Sequence, residues 1–335
     1  MMQNRLKALG KTLIIVNPTA QSGAAANVAE RLQRFLSLYS HGNTFDLVRT
    51  EYPRHAIELA KHAVGYDTVL ALGGDGVVHE VANGLMAIEA DKRPTLGIMP
   101  VGSGNDFART LGIAEITNAN NADLSALLDC ARTAIDVLKV TYEPVEEARN
   151  TVMGNATNAP RDQVEYAVET VSFGLCAAIA ADTQVLRKST GLRGAPLYTA
   201  SGMRCFGRGY RNFPVTVRID DGTSENLKII VFAVQNGPTY GSGYHICPSA
   251  DPADGALDIC YAKGPVPRAV ALPVFLSAKN GNHVNNKHIH LQRAHSVDLQ
   301  FAEDTYPIQL DGEILKARNM RIEIVPQALN VLKPA

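Results

Sequence analysis

Short unbroken apolar runs alternate with helically spaced apolar positions over the first third of the chain. Thr12 to Val16 reads as a buried strand, and Ala24 to Tyr39 puts Val28, Leu32, Phe35 and Leu36 on one helical face. Phe45 to Val48 and His55 to Val64 repeat the pair. Asp67 to Ala71 is a third β-branched run, and beyond Gly76 the residues Val77, Val78, Val81, Leu85 and Ile88 return to helical spacing. Thr95 to Met99 is a fourth strand. Strands and helices in this alternation predict a three-layer α/β domain, over residues 1–134, with a parallel sheet covered on both faces. From Val168 onward the pattern changes to β-runs: Val168–Phe173, Val215–Ile219, Lys228–Val234, Leu257–Tyr261, His288–Leu291, Val297–Phe301, Ile308–Leu310 and Met320–Val325. Val215 to Ile219 alternates strictly, and Asp220-Asp221-Gly222-Thr223 after it is a hairpin signal. A mostly antiparallel β-sandwich is expected over 135–317, with the tail 318–335 packing back on the first domain. Glu143 to Asp162 is polar and strand-poor, and reads as a loop or insertion.

Composition narrows the class. A length of 335 residues suggests about two domains, and 46% hydrophobic with 19% charged residues is a globular balance. The net charge of −1 argues against nucleic acid as a partner. Five cysteines without a C-x-x-C pair argue against a disulfide framework or a zinc cluster. Leu13 to Val16 is too short for a signal-peptide core, and no apolar stretch reaches the ~18 residues of a membrane span. A cytoplasmic chain is the expectation.

The segments after all four strands carry Gly, Ser, Thr, Asn or Asp, which is where ligands bind parallel sheets. Gly73-Gly74-Asp75-Gly76 falls at a strand-to-helix turn, where glycine admits a close ligand and the helix N-terminus favours an anion. Asp75 would repel a phosphate unless it holds a metal, a ribose hydroxyl or a reacting proton. Ser103-Gly104-Asn105-Asp106 and Asn17-Pro18 with Ser22-Gly23 are further polar turns. Asp251 and Asp254 flank a turn before Ala256, an oxygen-ligand set suited to a cation, and Asp311-Gly312-Glu313 is another carboxylate pair. Each of these alone is equally a plain turn. Between Asp182 and Asp220 no acid occurs, while Arg187, Lys188, Arg193, Arg204, Arg208, Arg211 and Arg218 interleave with Tyr198, Phe206, Tyr210 and Phe213. That stretch is either a solvated face or a surface for anionic lipid headgroups. His283, His288, His290 and His295 lack accompanying carboxylates or thiolates in a motif, and read as surface strand and loop.

Taken together these motifs resemble the diacylglycerol kinase catalytic-domain family, in its soluble bacterial lipid kinases. The resemblance rests on Val16-Asn17-Pro18, Gly73 to Gly76 with Glu80 and Asn83-Gly84-Leu85, Pro100 to Arg109, Asp254 to Asp258, and Asp311 to Glu313. They stand in order over nearly the whole chain, and no Walker-type or protein-kinase loop competes with them. The resemblance implies ATP bound in a cleft between the α/β domain and the sandwich. By the same resemblance Asn17, Thr50, Gly73, Gly74, Asp75, Gly76, Val77, Val78, His79, Gly102, Ser103, Asn105 and Asp106 would hold nucleotide. Asp251, Asp254 and the Ala256 carbonyl would hold Mg2+. Glu313 would accept the acceptor hydroxyl's proton, with Asp75 as the second catalytic carboxylate. Val77 and His79 depart from the family's usual Thr and Asn, and Ser103 from a frequent Thr. The implied reaction converts diacylglycerol to phosphatidic acid at the inner membrane face, by peripheral contact with anionic lipid, and leaves room for a homodimer. A sphingoid base or ceramide as acceptor, a nicotinamide dinucleotide kinase, and a non-catalytic nucleotide- or lipid-binding regulator are the alternatives.

Overall fold

A computed structural model describes residues 9–39, 44–116, 130–145 and 162–334. The chain divides into two compact units, Met1–Asp136 with Gln327–Ala335, and Val137–Pro326. In the first, Thr12–Val16 (β1), Phe45–Arg49 (β2), Thr68–Gly73 (β3) and Thr95–Pro100 (β4) form a parallel sheet in the order β2-β1-β3-β4. Val331, near the end of the last strand, pairs with Leu96 along the outer edge of β4. Every residue of β1, β3 and β4 is buried, as parallel strands covered on both faces require. The helices are Ala24–Tyr39 (α1), His55–Lys61 (α2), Asp75–Met86 (α3) and Asp106–Thr110 (α4). Val28, Leu32 and Leu36 of α1 pack against Leu70, Leu72 and Met99 of the sheet, so the helical spacing read from the sequence is the core-facing stripe. Helix α2 stops at Lys61, three residues earlier than its apolar spacing predicts, because the chain turns into Gly65 at φ +92°.

The order 2-1-3-4 places a switch point between β1 and β3, where successive connections leave in opposite directions. Ligand crevices on such sheets open at that point, beyond the carboxyl ends of the strands. The loops after β1 and β3 therefore occupy the position where a site is expected.

Cys130–Pro144 (β5) runs from the first unit into the second, where it pairs with Gln163–Ala167 (β6). Thr170–Gly174 (β7), Phe213–Ile219 (β8) and Glu225–Gln235 (β9) follow, then the short pair Thr239–Tyr240 (β10) and Tyr244–His245 (β11). Leu257–Lys263 (β12), Ile289–Ala294 (β13), Ser296–Phe301 (β14), Ile308–Leu310 (β15), Glu313–Leu315 (β16) and Ala317–Pro334 (β17) complete the strands. Their pairings are antiparallel, with β9 meeting β7, β8 and β12, and β14 lying between β8 and β17. The hairpin at Asp220–Thr223 joins β8 to β9. The larger core gathers Phe173, Phe213, Phe232, Phe301 and Tyr306, with ring centroids 5.1–5.2 Å apart for Phe173–Phe232, Phe173–Phe301 and Phe213–Tyr306.

Three helices interrupt the run of strands that the sequence pattern predicts: Leu175–Thr190 (α5), Gly194–Arg208 (α6) and Arg268–Ser277 (α7). Leu175, Ile179 and Phe206 of the first two cover Ile230 and Ala262 on the second face of the sheet. Small residues on α5, among them Ala177 and Ala180, allow this close approach, and small residues leave a faint hydrophobic signal in sequence. His283 is also not a surface residue. It is buried, and its Nε2 lies 3.0 Å from the Ile246 carbonyl oxygen. Most of the Glu143–Asp162 stretch lies outside the described residues. No described helix is long and apolar enough to cross a membrane.

Helices α2 and α3 meet at Gly84, where an added Cβ would lie 2.5 Å from the Ile57 carbonyl oxygen and 2.6 Å from Ala60 Cβ. Alanine gains about 1 kcal/mol of helix propensity over glycine, but backbone offers no easy relief from such a contact. Gly84→Ala should therefore lower the unfolding free energy by about 1–2 kcal/mol net; a denaturation midpoint equal to or above wild type would show that the helices separate without cost.

Candidate active site

Three post-strand loops of the first unit are locked to one another. Gly74 and Gly102 approach backbone to backbone: a Cβ on Gly102 would lie 2.4 Å from Gly74 Cα. Neither position tolerates a side chain, although neither needs a left-handed backbone. Val101 N–H donates to the Gly73 carbonyl at 2.7 Å, and Gln21 Nε2 donates to the Gly102 carbonyl at 2.8 Å. Gln21 thus ties the loop after β1 to the loop after β4, a role its sequence position inside a polar turn does not announce.

Asp75 resolves the puzzle of a carboxylate in an anion-binding turn. Its Oδ2 accepts the Asn105 amide at 2.7 Å and its Oδ1 the Asp106 amide at 3.0 Å. These are first-turn amides of α4, whose own N-cap residue makes no side-chain cap. The negative charge is therefore held at a helix N-terminus, where it is favoured. Asp75 is not the surface turn residue that the sequence suggests; it joins two glycine loops. Asp106 takes Arg109 Nη1 at 2.7 Å, and the same guanidinium reaches the Gly104 carbonyl at 3.1 Å. Asn105, at φ +54°, is buried, with Nδ2 on the Gly102 carbonyl and Oδ1 without a hydrogen-bond partner among the described residues.

The other nucleotide positions read from the resemblance divide into two groups. Asn17 Oδ1 folds its own loop, accepting the Thr19 amide at 3.1 Å and hydroxyl at 2.8 Å, and the Thr50 amide donates to the Val16 carbonyl at 2.8 Å. These two and Ser103 remain at least partly exposed at the strand ends. Val77, Val78 and His79 do not. Their side chains are buried, His79 at 1% exposure with Asn83 Nδ2 3.3 Å from its Nε2, and the Val77 and Val78 amides donate to the Gly74 carbonyl. Helical phase turns these three side chains into the core. Glu80 is likewise structural: its carboxylate accepts the Arg54 amide at 3.0 Å and the Ala56 amide at 3.1 Å, capping α2.

In the second unit Asp311 and Glu313 have different tasks. Asp311 is buried at φ +48°, and its carboxylate accepts the amides of Val168, Glu169 and Thr170 at 2.9–3.0 Å. Gln309 Oε1 takes the Gly312 amide at 2.6 Å. The turn is thereby fixed from both sides, and Glu313 leaves it exposed at the start of β16.

At the candidate cation turn Asp251 Oδ1 accepts the Ala253 amide at 3.0 Å, and Asp254 Oδ1 accepts the Ala256 amide at 3.1 Å. The remaining Asp254 oxygen forms an ion pair with Arg293, which is also the cross-strand partner of Asp258. Asp258 lies above the usual carboxylate range through burial, with Arg293 opposing the shift. The oxygen donors are hard enough for magnesium, but here an arginine supplies the counter-charge. Among the described residues no three acidic, histidine or cysteine side chains surround a point where a metal could bind. The set as arranged does not fit a bound Mg2+. The Asp254–Arg293 pair is half-exposed and worth under about 1 kcal/mol, so it marks what the turn holds rather than how firmly.

Two of the cavities among the described residues of the second unit bear on a site. One, of about 450 Å³, is lined by Arg218, Asp298 and Arg321 among others, but Asp298 already pairs with Arg218 at 2.7 Å and with Arg321 at 3.0 Å. The other is a narrow apolar pocket of about 70 Å³ under α5 and α7, bounded by Leu175, Phe206, Ile230, Val266, Val274 and Phe275.

Two outcomes follow from these contacts. Asp75→Asn puts an NH2 against a backbone N–H, and should cost about 1–3 kcal/mol of unfolding free energy as well as turnover; stability within about 0.5 kcal/mol of wild type would make the carboxylate a surface residue after all. At fixed ionic strength the wild-type melting temperature should be the same in magnesium and in EDTA, whereas Arg293→Ala should become magnesium-stabilised, since an ion bound only to the folded state raises its stability. A magnesium-dependent wild-type melting temperature would overturn this reading of the turn.

Comparison with known proteins places this architecture. Residues 11–140 match the diacylglycerol kinase catalytic domain, and residues 169–333 the YegS C-terminal NAD kinase beta sandwich-like domain. Proteins of Yersinia pestis (strain Pestoides F) and Yersinia pseudotuberculosis serotype O:1b, each named "Probable lipid kinase YegS-like", are 30% identical over 295 residues, 84% of this chain and 83% of theirs. A crystal structure titled as a diacylglycerol kinase of Bacillus anthracis superposes with a TM-score of 0.64 at 20% identity, over 97% of both chains. Yeast NADH kinase complexed with NADH superposes at 0.50 with 8% identity, over 97% of this chain and 83% of that one, a likeness of fold alone. With a domain match on each unit and relatives aligned over most of its length, the chain belongs to the diacylglycerol kinase catalytic-domain family, as a lipid kinase of the YegS-like type.

Proposed function

We propose that this lipid kinase transfers the γ-phosphoryl group of ATP to the hydroxyl of diacylglycerol, giving phosphatidic acid. The observation that carries the proposal is the junction of the Gly73–Gly76 and Gly102–Asp106 loops, fixed by Asp75 beyond the carboxyl ends of β3 and β4. Phosphoryl transfer asks for positioning and charge neutralisation more than covalent help. Glycine backbone lets phosphate oxygens approach the chain closely, and Asn105 Oδ1, without a partner among the described residues, suits a ribose hydroxyl or an adenine amine. In this reading Asp75 is a positioning residue, since its two oxygens already hold backbone amides. Glu313 is the base. As the acceptor oxygen bonds to phosphorus and the bond to the β-phosphate oxygen breaks, the hydroxyl proton passes to the Glu313 carboxylate. Magnesium enters only as the usual counter-ion of ATP phosphates.

The apolar pocket supports an acyl-bearing acceptor. At about 70 Å³ it is too small for an acyl chain, so α7 would move outward to admit one. None of the α7 residues is fully buried, and the contacts that would part are those of Ala271, Leu272 and Phe275. The basic face is narrower than the acid-free sequence suggests, because Arg204 pairs with Asp182, Arg211 with Glu303 and Arg218 with Asp298. Arg187, Lys188 and Arg208 are exposed on α5 and α6, beside exposed Val185, Leu192 and Met203. Basic and apolar groups together suit contact with an anionic bilayer.

Incubation with labelled ATP, magnesium and a lipid panel, with the products separated by thin-layer chromatography, tests the acceptor. Labelled phosphatidic acid is expected, and a phosphorylated sphingoid base or ceramide alone would replace diacylglycerol as substrate. Glu313→Gln should lower kcat about 10²–10⁴-fold with ATP affinity near wild type. Unchanged turnover would remove Glu313 from the chemistry, and lost ATP binding would make it structural.

A further inference from the structure

Three of the five cysteines meet in one buried cluster. Cys176, Cys247 and Cys260 pack together with Tyr240, Tyr244 and Ile246, on the face of the second unit's sheet opposite its aromatic core. His283 closes the cluster, its Nε2 3.8 Å from Cys260 Sγ and 3.0 Å from the Ile246 carbonyl. The shorter bond, to a carbonyl, requires the hydrogen on Nε2, so the ring faces Cys260 as a donor. Cys176, Cys260 and His283 all line the narrow apolar pocket, while Cys247 Sγ lies 3.9 Å from the Asp258 carbonyl at its back. The phosphoryl-transfer reading uses none of these four residues. A metal is not their purpose, for no three of the described side chains converge on a metal-binding point.

The thiols are not equivalent. Burial pushes Cys176 up to about 12 and also raises Cys247. Cys260 is instead acidified, first by a hydrogen bond with Cys247 and then by His283, against the opposing effect of burial. A thiolate is the reactive form of cysteine, and a sulfenic acid condenses with a neighbouring thiol that gives up its proton. The cluster therefore offers one activated sulfur, one resolving sulfur beside it, and an apolar entrance that disfavours charged oxidants.

We propose that Cys260 is a modification site for neutral hydroperoxides, with Cys247 as its resolving thiol. The Cys260 thiolate attacks a peroxide oxygen; the O–O bond breaks, and the departing oxygen takes a proton to leave as an alcohol, or as water from hydrogen peroxide. Cys260 is then a sulfenic acid. Cys247 attacks its sulfur and gives up the thiol proton, and the hydroxyl departs as water, leaving a Cys247–Cys260 disulfide. Two thiols lose two electrons in all, and the peroxide gains them. The apolar lining favours an alkyl hydroperoxide, such as an oxidised acyl chain, over hydrogen peroxide. The crosslink joins β12 to the segment after β11 at the floor of the pocket, so oxidation would alter the cavity itself.

The full-length protein is exposed separately to methyl linoleate hydroperoxide in mixed micelles and to hydrogen peroxide, then quenched by alkylation and mapped by non-reducing peptide mass spectrometry. A Cys247–Cys260 crosslinked peptide, lighter by two hydrogens and reversed by dithiothreitol, is expected sooner with the alkyl hydroperoxide. In Cys247→Ser the reaction should stop at a dimedone-trappable sulfenic acid on Cys260, and in Cys260→Ser the Cys247 thiol should stay reduced. Oxidation that begins at the half-buried Cys130 or Cys205 while Cys247 and Cys260 remain thiols overturns the proposal, and wild-type protein alone shows it if a variant does not fold. A crosslink from hydrogen peroxide but not from the alkyl hydroperoxide overturns the apolar route.

Discussion

Both oxygens of Asp75 are bound to backbone amides of the next loop, and the geometry of the first unit's strand ends depends on that contact. A helix of only five residues, α4, starts at those amides without a side-chain cap of its own. Left unpaired they would be partly buried donors, each costing about 1–3 kcal/mol. The carboxylate meets this need and at the same time brings Gly74 against Gly102, where even a methyl group is too large. A surface assembled from two loops stays in register only if something crosses between them. Here a single charged side chain does so.

The same device recurs through the molecule. Asp311 holds three amides, Asp220 holds those of His295 and Ser296 at 2.8 Å, and Asp136 holds that of Gln327 at 2.7 Å. Charge-assisted bonds to N–H groups are stronger than neutral ones, so aspartates at turns fix segments far apart in sequence. Glu313 follows one of these anchors. Its preceding turn is held by Asp311 and Gln309, and Glu313 is exposed at the strand start. The turn before Glu313 is thus fixed by the residues that precede it.

The second face of the β-sandwich is chemically mixed where the first is not. Aromatic rings fill the larger core, whereas the helix-covered face combines aliphatic residues with three thiols and a buried histidine. The pocket there, about 70 Å³ as it stands, is lined by apolar side chains and by sulfur. Apolar lining and thiols meet there because cysteine packs as a small hydrophobe.

The sequence by itself determined the two-unit α/β and β architecture, because strand and helix periodicities are local and the β1, β3 and β4 runs are buried along their whole length. It also determined the family, since the glycine-rich turns require particular residue types wherever backbones touch. What each carboxylate does was decided only by tertiary structure. Asp75, Asp311 and Asp254 look alike in sequence as turn acids, yet one spans two loops, one anchors a turn and one pairs with Arg293, thirty-nine residues away in the chain. Val77, Val78 and His79 belong to the motif but face the core, a matter of helical phase against the sheet. Helix α5 escaped the hydrophobic pattern because close packing there uses small side chains. The pairing of Cys260 with Cys247 and His283 escaped for a related reason: strand register and helix packing bring together residues that no local spacing connects.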